Sequence, residues 1–589
     1  MWWAVIIGLA FGPLPRAFVP RPAVRAGLCL GGLTVLTALS MLWASDDGRT
    51  FAEASRAATY LGVFALVVVI SPRGSARSWL VGLAVGLTGV AAIALASRLV
   101  PSAFPEQELI SRLPAVASRL AYPVHYWNGL AACMAVCVVL LLWLGAEGGG
   151  RRSRAAAVAA IPLATLTMYL TFSRGGVIAL AVGIGALVAL VRPRVRVVAG
   201  LIEGSIGGGA VVVIASGKEQ FRGGPLSSAA ARAELDDLVI LLLLVTAAVA
   251  LAHYALDPAL RRVVVSPLVA RLCVAIVVVA VVGLTVLAGP VQTVENLCRA
   301  PANLSQPSGD PNYGRLTSDA GTGRCQYWGA AIDAYGSAPV LGIGAGGYEA
   351  WWAKEGSLAN FVVDAHSLPL EMLAELGLVG LALVLGFIGC AAVTGARRRK
   401  GIGADAALGP ALAVLAAGVV SASIDWTWEV PAVFLPVVLC AALLTGPATE
   451  TLPGEGTRYT LGVATLLAGW IAIFLSGIVL LTQYKIDESR SEVRTGDLEA
   501  ALGDARGAST VQPWAALPYT QQALVQELRG DIPNALVASR KARERAPEDW
   551  RLWSIEARLR RAAGDAAGGQ RASDRARELT RGSPLFPSG

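Results

Sequence analysis

The feature that most constrains this chain is a succession of long apolar runs separated by short clusters of arginine. A helix needs about 20 apolar residues to cross a hydrocarbon core of ~30 Å. Inside that core every backbone amide and carbonyl must be satisfied within the chain, which leaves only helices and closed barrels. Apolar runs recur at roughly residues 27–45, 56–71, 79–98, 126–145, 155–172, 174–191, 195–216, 236–255, 264–290, 368–393, 407–424, 430–447 and 459–482, after an opening run at 1–14. The aromatic content of 7% is too low for the girdles of a barrel, whereas 65 glycines suit helices packed through small residues. The expected fold class is therefore all-α, a polytopic transmembrane helical bundle of about 12–14 spans.

Arginine placement predicts the orientation. Clusters at Arg16/Arg21/Arg25, Arg73/Arg77, Arg151/Arg152/Arg154, Arg192/Arg194/Arg196, Arg261/Arg262 and Arg397/Arg398/Arg399/Lys400 fall in alternate connections, which the positive-inside rule assigns to the cytoplasm. These clusters also account for the net charge of +8, so membrane lipids and no nucleic acid are the expected partners. The intervening connections, 46–55, 99–125, the turn at Phe172–Arg174, 217–235, 291–367 and 425–429, then face outside. Met1–Leu14 is followed rather than preceded by arginines, so it reads as a first span and not as a signal peptide.

From Lys485 the composition changes, with 17 Lys/Arg against 15 Asp/Glu and no further apolar run. Two domains follow: a membrane region at 1–484 with a large extracytoplasmic loop at 291–367, and a helical-repeat region at 485–589. Gly496-Asp497, Gly530-Asp531 and Gly564-Asp565 recur every 34 residues, the tetratricopeptide period. Stacked helix pairs would leave a groove able to hold a protein segment, and the alternation of sides places this tail outside.

Chemistry-bearing residues gather on the expected outer side. Of three histidines, His125 and His366 fall there and His253 on the cytoplasmic side. Arg119, His125, Tyr126, Trp127 and Asn128 precede one span, Ser173 and Arg174 sit in a turn, and Arg315 and Arg324 lie in the large loop with Trp328 and Asp364. Arg174 interrupts about 36 apolar residues, a placement that costs several kcal/mol near hydrocarbon. The bland reading is an arginine snorkelling to headgroups; the sharper one is a phosphate site, since guanidinium binds phosphate bidentately. Asp425-Trp426-Thr427-Trp428-Glu429 reads first as an interfacial anchor, with a carboxylate that orients His366 or takes a proton as the alternative. Ser367 and Pro369 specify a helix start just after His366. Gly342, Gly344 and Gly347 match dinucleotide spacing but lack a βαβ context, and read as a flexible turn after an amphipathic helix that begins near Arg324.

Cys29, Cys133, Cys137, Cys273, Cys390 and Cys440 lie in apolar runs and read as small buried hydrophobes without a metal site. Cys298 and Cys325 share the outer loop and are expected to pair as a disulfide.

The chain resembles the O-antigen ligase and O-antigen polymerase superfamily over about residues 119–380. The resemblance rests on His366 through Gly380, with Ser367 where the family has asparagine, and on Ser173-Arg174-Gly175, Asn128-Gly129-Leu130-Ala131, Arg324 with Trp328, and Pro339 to Gly344. It implies a GT-C-type glycosyltransferase of the bacterial plasma membrane, using no metal or cofactor. The implied donor is an undecaprenyl-pyrophosphate-linked oligosaccharide on the outer side, and the acceptor is a glycan, a lipid or a protein. His366 would act as general base or steer the acceptor hydroxyl, with Arg174 and Arg324 stabilising the departing pyrophosphate. Arg119, His125, Asn128, Ser173, Arg315, Trp328, Asp364, Ser367, Asp425 and Glu429 would form the substrate site around them. Two other readings stand beside this one: a transporter or flippase for an anionic lipid-linked substrate, and a protein O-oligosaccharyltransferase.

Overall fold

The computed structural model describes residues 18–105, 118–192, 194–218, 229–263, 298, 323–358, 360–401, 405–450, 456–458 and 462–580. The expected runs at 1–14 and 264–290, together with Cys273 and Arg315, lie outside the described residues. In chain order the helices are α1 (Arg21–Leu39), α2 (Asp47–Ile70), α3 (Ala76–Leu99), α4 (Trp127–Glu147), α5 (Arg151–Ala159), α6 (Ile161–Tyr169) and α7 (Arg174–Leu190). There follow α8 (Arg194–Ser216), α9 (Ala229–Arg262), α10 (Arg324–Ser337), α11 (Tyr348–Glu355), α12 (Leu368–Arg399), α13 (Leu408–Ile424) and α14 (Pro431–Thr445). The chain closes with α15 (Gly462–Thr495), α16 (Leu498–Val511), α17 (Ala516–Leu528), α18 (Ile532–Arg545), α19 (Trp550–Ala562) and α20 (Ala566–Glu578). Among the described residues, strand structure is limited to the antiparallel pair Phe18–Pro20 and Gly456–Arg458.

Eight helical segments among the described residues are long and apolar enough to cross a membrane: α1 extended to Leu42, α2, α3, α4, α8, α9 from Asp237, α12 and α15 from Gly469. Helices α7, α13 and α14 are apolar but shorter. The protein is thus an all-α polytopic membrane protein. Two sequence expectations are corrected in detail. The run at 155–172 is not one span but two nine-residue helices, α5 and α6, meeting at Ala160 where Pro162 enters the first turn of α6. Residues 47–55 are helical rather than part of a connection, because α2 starts at Asp47 and the Asp46 carboxylate accepts from Arg49 N at 3.0 Å.

The chain divides into two compact units, one of residues 1–70, 322–390 and 456–589, the other of residues 71–321 and 391–455. In the first, α12 is broken at Gly377 (φ 64°, ψ −161°). The break frees carbonyls and amides that a continuous helix would use, and the 339–344 segment takes them up. Ile343 N donates to Ala374 O at 3.0 Å, Gly344 N to Glu375 O at 2.9 Å, and Leu378 N to Pro339 O at 3.0 Å. Buried polar backbone is thereby satisfied. The approach is so close that a Cβ on Gly342 would stand 2.2 Å from the Glu375 carbonyl carbon, and one on Gly377 2.3 Å from Val340 O. Here the expected turn is tied by its amides and carbonyls to the broken helix.

The same unit carries the tail. Gly496, Gly530 and Gly564 take φ of 87°, 77° and 81°, and the following Asp497, Asp531 and Asp565 cap α16, α18 and α20 through their side chains. Each helix from α15 to α20 packs on the next. In the second unit α4 is almost wholly buried, and glycines let neighbours approach it. A Cβ on Gly176 of α7 would lie 2.5 Å from the Ala131 side chain, and one on Gly183 2.7 Å from Val139.

Candidate functional site

In the first unit the site is built around the junction from which α12 begins. His366 takes φ +56°, a left-handed conformation in which histidine is enriched among non-glycine residues. Its Nδ1 lies 2.9 Å from the Asp364 carbonyl. A carbonyl can only accept, so Nδ1 carries the proton and Nε2 is the basic nitrogen. Ser367 is buried, and its carbonyl takes the first bond of α12, from Glu371 N at 2.8 Å.

One flank of His366 is aromatic. The Tyr327 ring lies 5.2 Å from the imidazole, and Tyr327 is fixed by its neighbours. Its hydroxyl accepts from Asn360 Nδ2 at 2.8 Å, its carbonyl accepts from Tyr348 OH at 2.8 Å, and Trp352 Nε1 donates to Asn360 O at 2.9 Å. Arg324 is the first residue of α10, one turn before Tyr327. Burial pushes the Tyr327 phenol up, while the Asn360 bond and the Arg324 charge oppose that shift. Arg324, Tyr327 and His366 therefore form one neighbourhood. Trp328 follows Tyr327 on α10 and is half-buried.

The other side of the junction is a charged network of which the sequence reading includes Asp364 but not Arg49, Glu349 or Glu375. Arg49 of α2 pairs with Glu349 of α11 and donates from Nη2 to Val363 O at 3.2 Å and Asp364 Oδ1 at 3.4 Å. It thus grips the two residues that precede Ala365 and His366. Glu375, 4% exposed, accepts from Gly346 N at 2.9 Å and Tyr348 N at 3.0 Å, holding the start of α11 where amides lack helical partners. Thr50 Oγ1 donates to Ala345 O at 2.7 Å, and Ala345 N to Ser40 Oγ at 3.1 Å. Asp364 and Glu371 offer carboxylate oxygens within 4.8 Å of each other, and Glu371 Oε2 is buried with no hydrogen-bond partner among the described residues. Burial pushes the Asp364 carboxyl up to about 6 against the opposing charge of Arg49. A signal for this flank exists in the sequence: Arg49, Glu53 and Arg56 are spaced i, i+4, i+7, one face of a helix. The late start assigned to that helix hides it.

In the second unit, Arg119, Asn128 and Asp425 meet in one network. The 5% exposed Arg119 donates to Thr171 O at 2.9 Å, Phe172 O at 3.3 Å and Asn128 Oδ1 at 3.1 Å. Its guanidinium lies 4.4 Å from the Trp127 ring centroid. Arg119 therefore braces the turn that ends at Phe172, whose φ is +49°. Ser173 then caps α7 by accepting from Gly176 N at 3.2 Å, and Arg174 is the first residue of that helix. Asp425 accepts from Asn128 Nδ2 at 2.6 Å, from the Tyr126 hydroxyl, and from its neighbour Trp426 N at 2.9 Å, while Trp426 stacks on Tyr126 at 4.0 Å. His125 takes φ +59° and meets Tyr122 edge-on at 5.5 Å. Glu429 closes the 3₁₀ turn Thr427–Glu429.

No curated protein matches the chain. Residues 237–385 match the family model described as O-antigen ligase, a stretch that contains α10, α11, the glycine segment, Arg324, Asp364 and His366. This match covers only part of the chain; together with the eight candidate spans among the described residues, it supports a multi-pass membrane protein similar to the O-antigen ligase family, with a ligase- or polymerase-like role in glycan assembly.

Proposed function

We propose that the protein is a membrane glycosyltransferase that moves or polymerises a glycan carried on undecaprenyl pyrophosphate, on the outer side of the bacterial plasma membrane. The observation that carries this reading is the 2.9 Å contact of His366 Nδ1 with the Asp364 carbonyl within the family-matched segment: the carbonyl accepts, so Nδ1 donates and Nε2 takes the role of base. The acceptor hydroxyl loses its proton to Nε2 as its oxygen bonds to the anomeric carbon. The bond from that carbon to the pyrophosphate breaks, and the electron pair leaves with the phosphate. Direct displacement inverts the sugar carbon. Arg324, beside Tyr327, and Arg174, at the head of α7, stabilise the leaving charge. Arg119, Asn128 and Asp425 shape the turn from which Arg174 projects, and His125, Ser173, Trp328, Asp364, Ser367 and Glu429 complete the substrate site.

The 485–589 region is a tetratricopeptide-like array, a reading supported by the 34-residue recurrence of its glycine turns and aspartate caps. The test is His366→Ala in membranes supplied with lipid-linked oligosaccharide. Transfer should be abolished while the protein still inserts and accumulates, and transfer at the wild-type rate would remove His366 from the mechanism.

A further inference from the structure

The tail does not hang free of the site in its own unit. Its residues pair with one member of the ion pair that holds the segment before His366, Glu349, and pack on the helical turn that carries the other, Arg49. At one point Trp514 lies 5.2 Å from Phe51. Ala515 packs so closely on the first turn of α2 that a Cβ on Gly48 would stand 2.8 Å from its side chain. Arg49 belongs to that same first turn. At the other point Arg551, in the first turn of α19, pairs through Nη1 with Glu349 Oε1 at 3.0 Å, while its guanidinium lies 5.5 Å from the Phe361 ring centroid. Asp549 orients Arg551 by accepting from its Nε at 2.8 Å. Glu349 is the residue that Arg49 pairs with, and Arg49 in turn holds Val363 and Asp364.

From this geometry we infer that the C-terminal helical array positions the 361–367 segment, with Arg551 as the positioning residue that acts on His366 through Glu349, Arg49 and Asp364. The inference rests on the reading of His366 as the working base. A carboxylate shared by two guanidiniums is held from both sides, so removing the outer one leaves Glu349 free to follow Arg49 away from the loop. The side chain of Arg551 is 44% exposed, so solvent screens its pair, and loss of the charge should slow transfer by about two- to fivefold. Arg551→Glu sets a carboxylate against Glu349 and should exceed tenfold, roughly.

The test uses the full chain in lipid vesicles, with hydrogen exchange of the 361–367 peptide and the transfer rate measured on the same samples. Arg551→Glu should speed exchange in 361–367 and slow transfer while protection of α16, α17 and α20 stays as in wild type, and Arg551→Lys should restore both. Glu349→Gln breaks the same link without touching the array and should loosen the same peptide, which keeps the test intact if Arg551→Glu disturbs α19. Wild-type exchange in 361–367 for both Arg551→Glu and Glu349→Gln would overturn the inference. A His366→Ala protein that still transfers, alongside an Arg551→Glu protein whose 361–367 peptide exchanges faster, would refute the catalytic reading and leave the mechanical link standing.

Discussion

Gly377→Ala tests the reading that a broken helix, clasped by the 339–344 segment, builds the platform under His366. At φ 64°, ψ −161° only glycine sits without strain, and a side chain there costs of order 1–3 kcal/mol. The new methyl would also stand 2.3 Å from Val340 O, 2.4 Å from Val340 C and 2.7 Å from Leu341 N. These are backbone atoms fixed by the bonds from Ile343, Gly344 and Leu378, so no flexible side-chain end can yield. Relieving the contact must pull at least one of those bonds apart, at about 1 kcal/mol each. The sum is roughly 2–4 kcal/mol, and for a chain of this length the melting temperature of the detergent-solubilised protein should fall by about 2–3 °C. Transfer should fall with it, because Glu375, which anchors α11, lies two residues before the break. Gly389→Ala is the control: it sits in the same helix with nothing within 4 Å of its would-be Cβ, so it should be neutral or slightly stabilising. If Gly377→Ala melts and transfers like the control, the clasp does not hold the site.

Arg174→Lys should lose most transfer activity despite keeping its charge, because an ammonium cannot match the planar fork of guanidinium on phosphate; full activity in membranes would favour the snorkelling reading. For Asp364, the folded-state value of about 6 lies above the ordinary 3.8, so the stability it contributes is fully present below that ordinary value and is lost as pH rises through about 6. The loss is worth up to about 3 kcal/mol, and wild type should therefore lose melting temperature relative to Asp364→Asn between roughly pH 3.8 and 6; a difference between the two that does not vary with pH would contradict the burial argument. Cys29, Cys133, Cys137, Cys390 and Cys440 form no disulfide among the described residues, and we propose that Cys298 and Cys325, 27 residues apart, form a bridge worth roughly 3 to 4 kcal/mol by chain entropy. Alkylation of both without prior reduction, in protein taken from cells, would show that the bridge is absent.

The sequence alone determines that the chain is a helical membrane protein, because transfer of apolar side chains into lipid is a sum over neighbouring residues and is read directly from a run of them. It also determines the helix start at Ser367 and the 34-residue rhythm of Gly-Asp turns, since caps and left-handed turns are chosen within a few residues. The limits of that local reading show at α2, where Arg49 and Glu53 lie within the helix but look like loop to a reading that counts charge against membrane insertion. The partner that makes Arg49 tolerable, Asp364, is 315 residues away in the chain, and Asn128 meets Asp425 across 297. Likewise the break at Gly377 is intelligible only once Pro339 and Val340 lie against it. Tertiary structure decides these points because a buried charge or an open backbone group is stable only beside its complement, and which distant segment supplies that complement follows from packing rather than from the residues nearby.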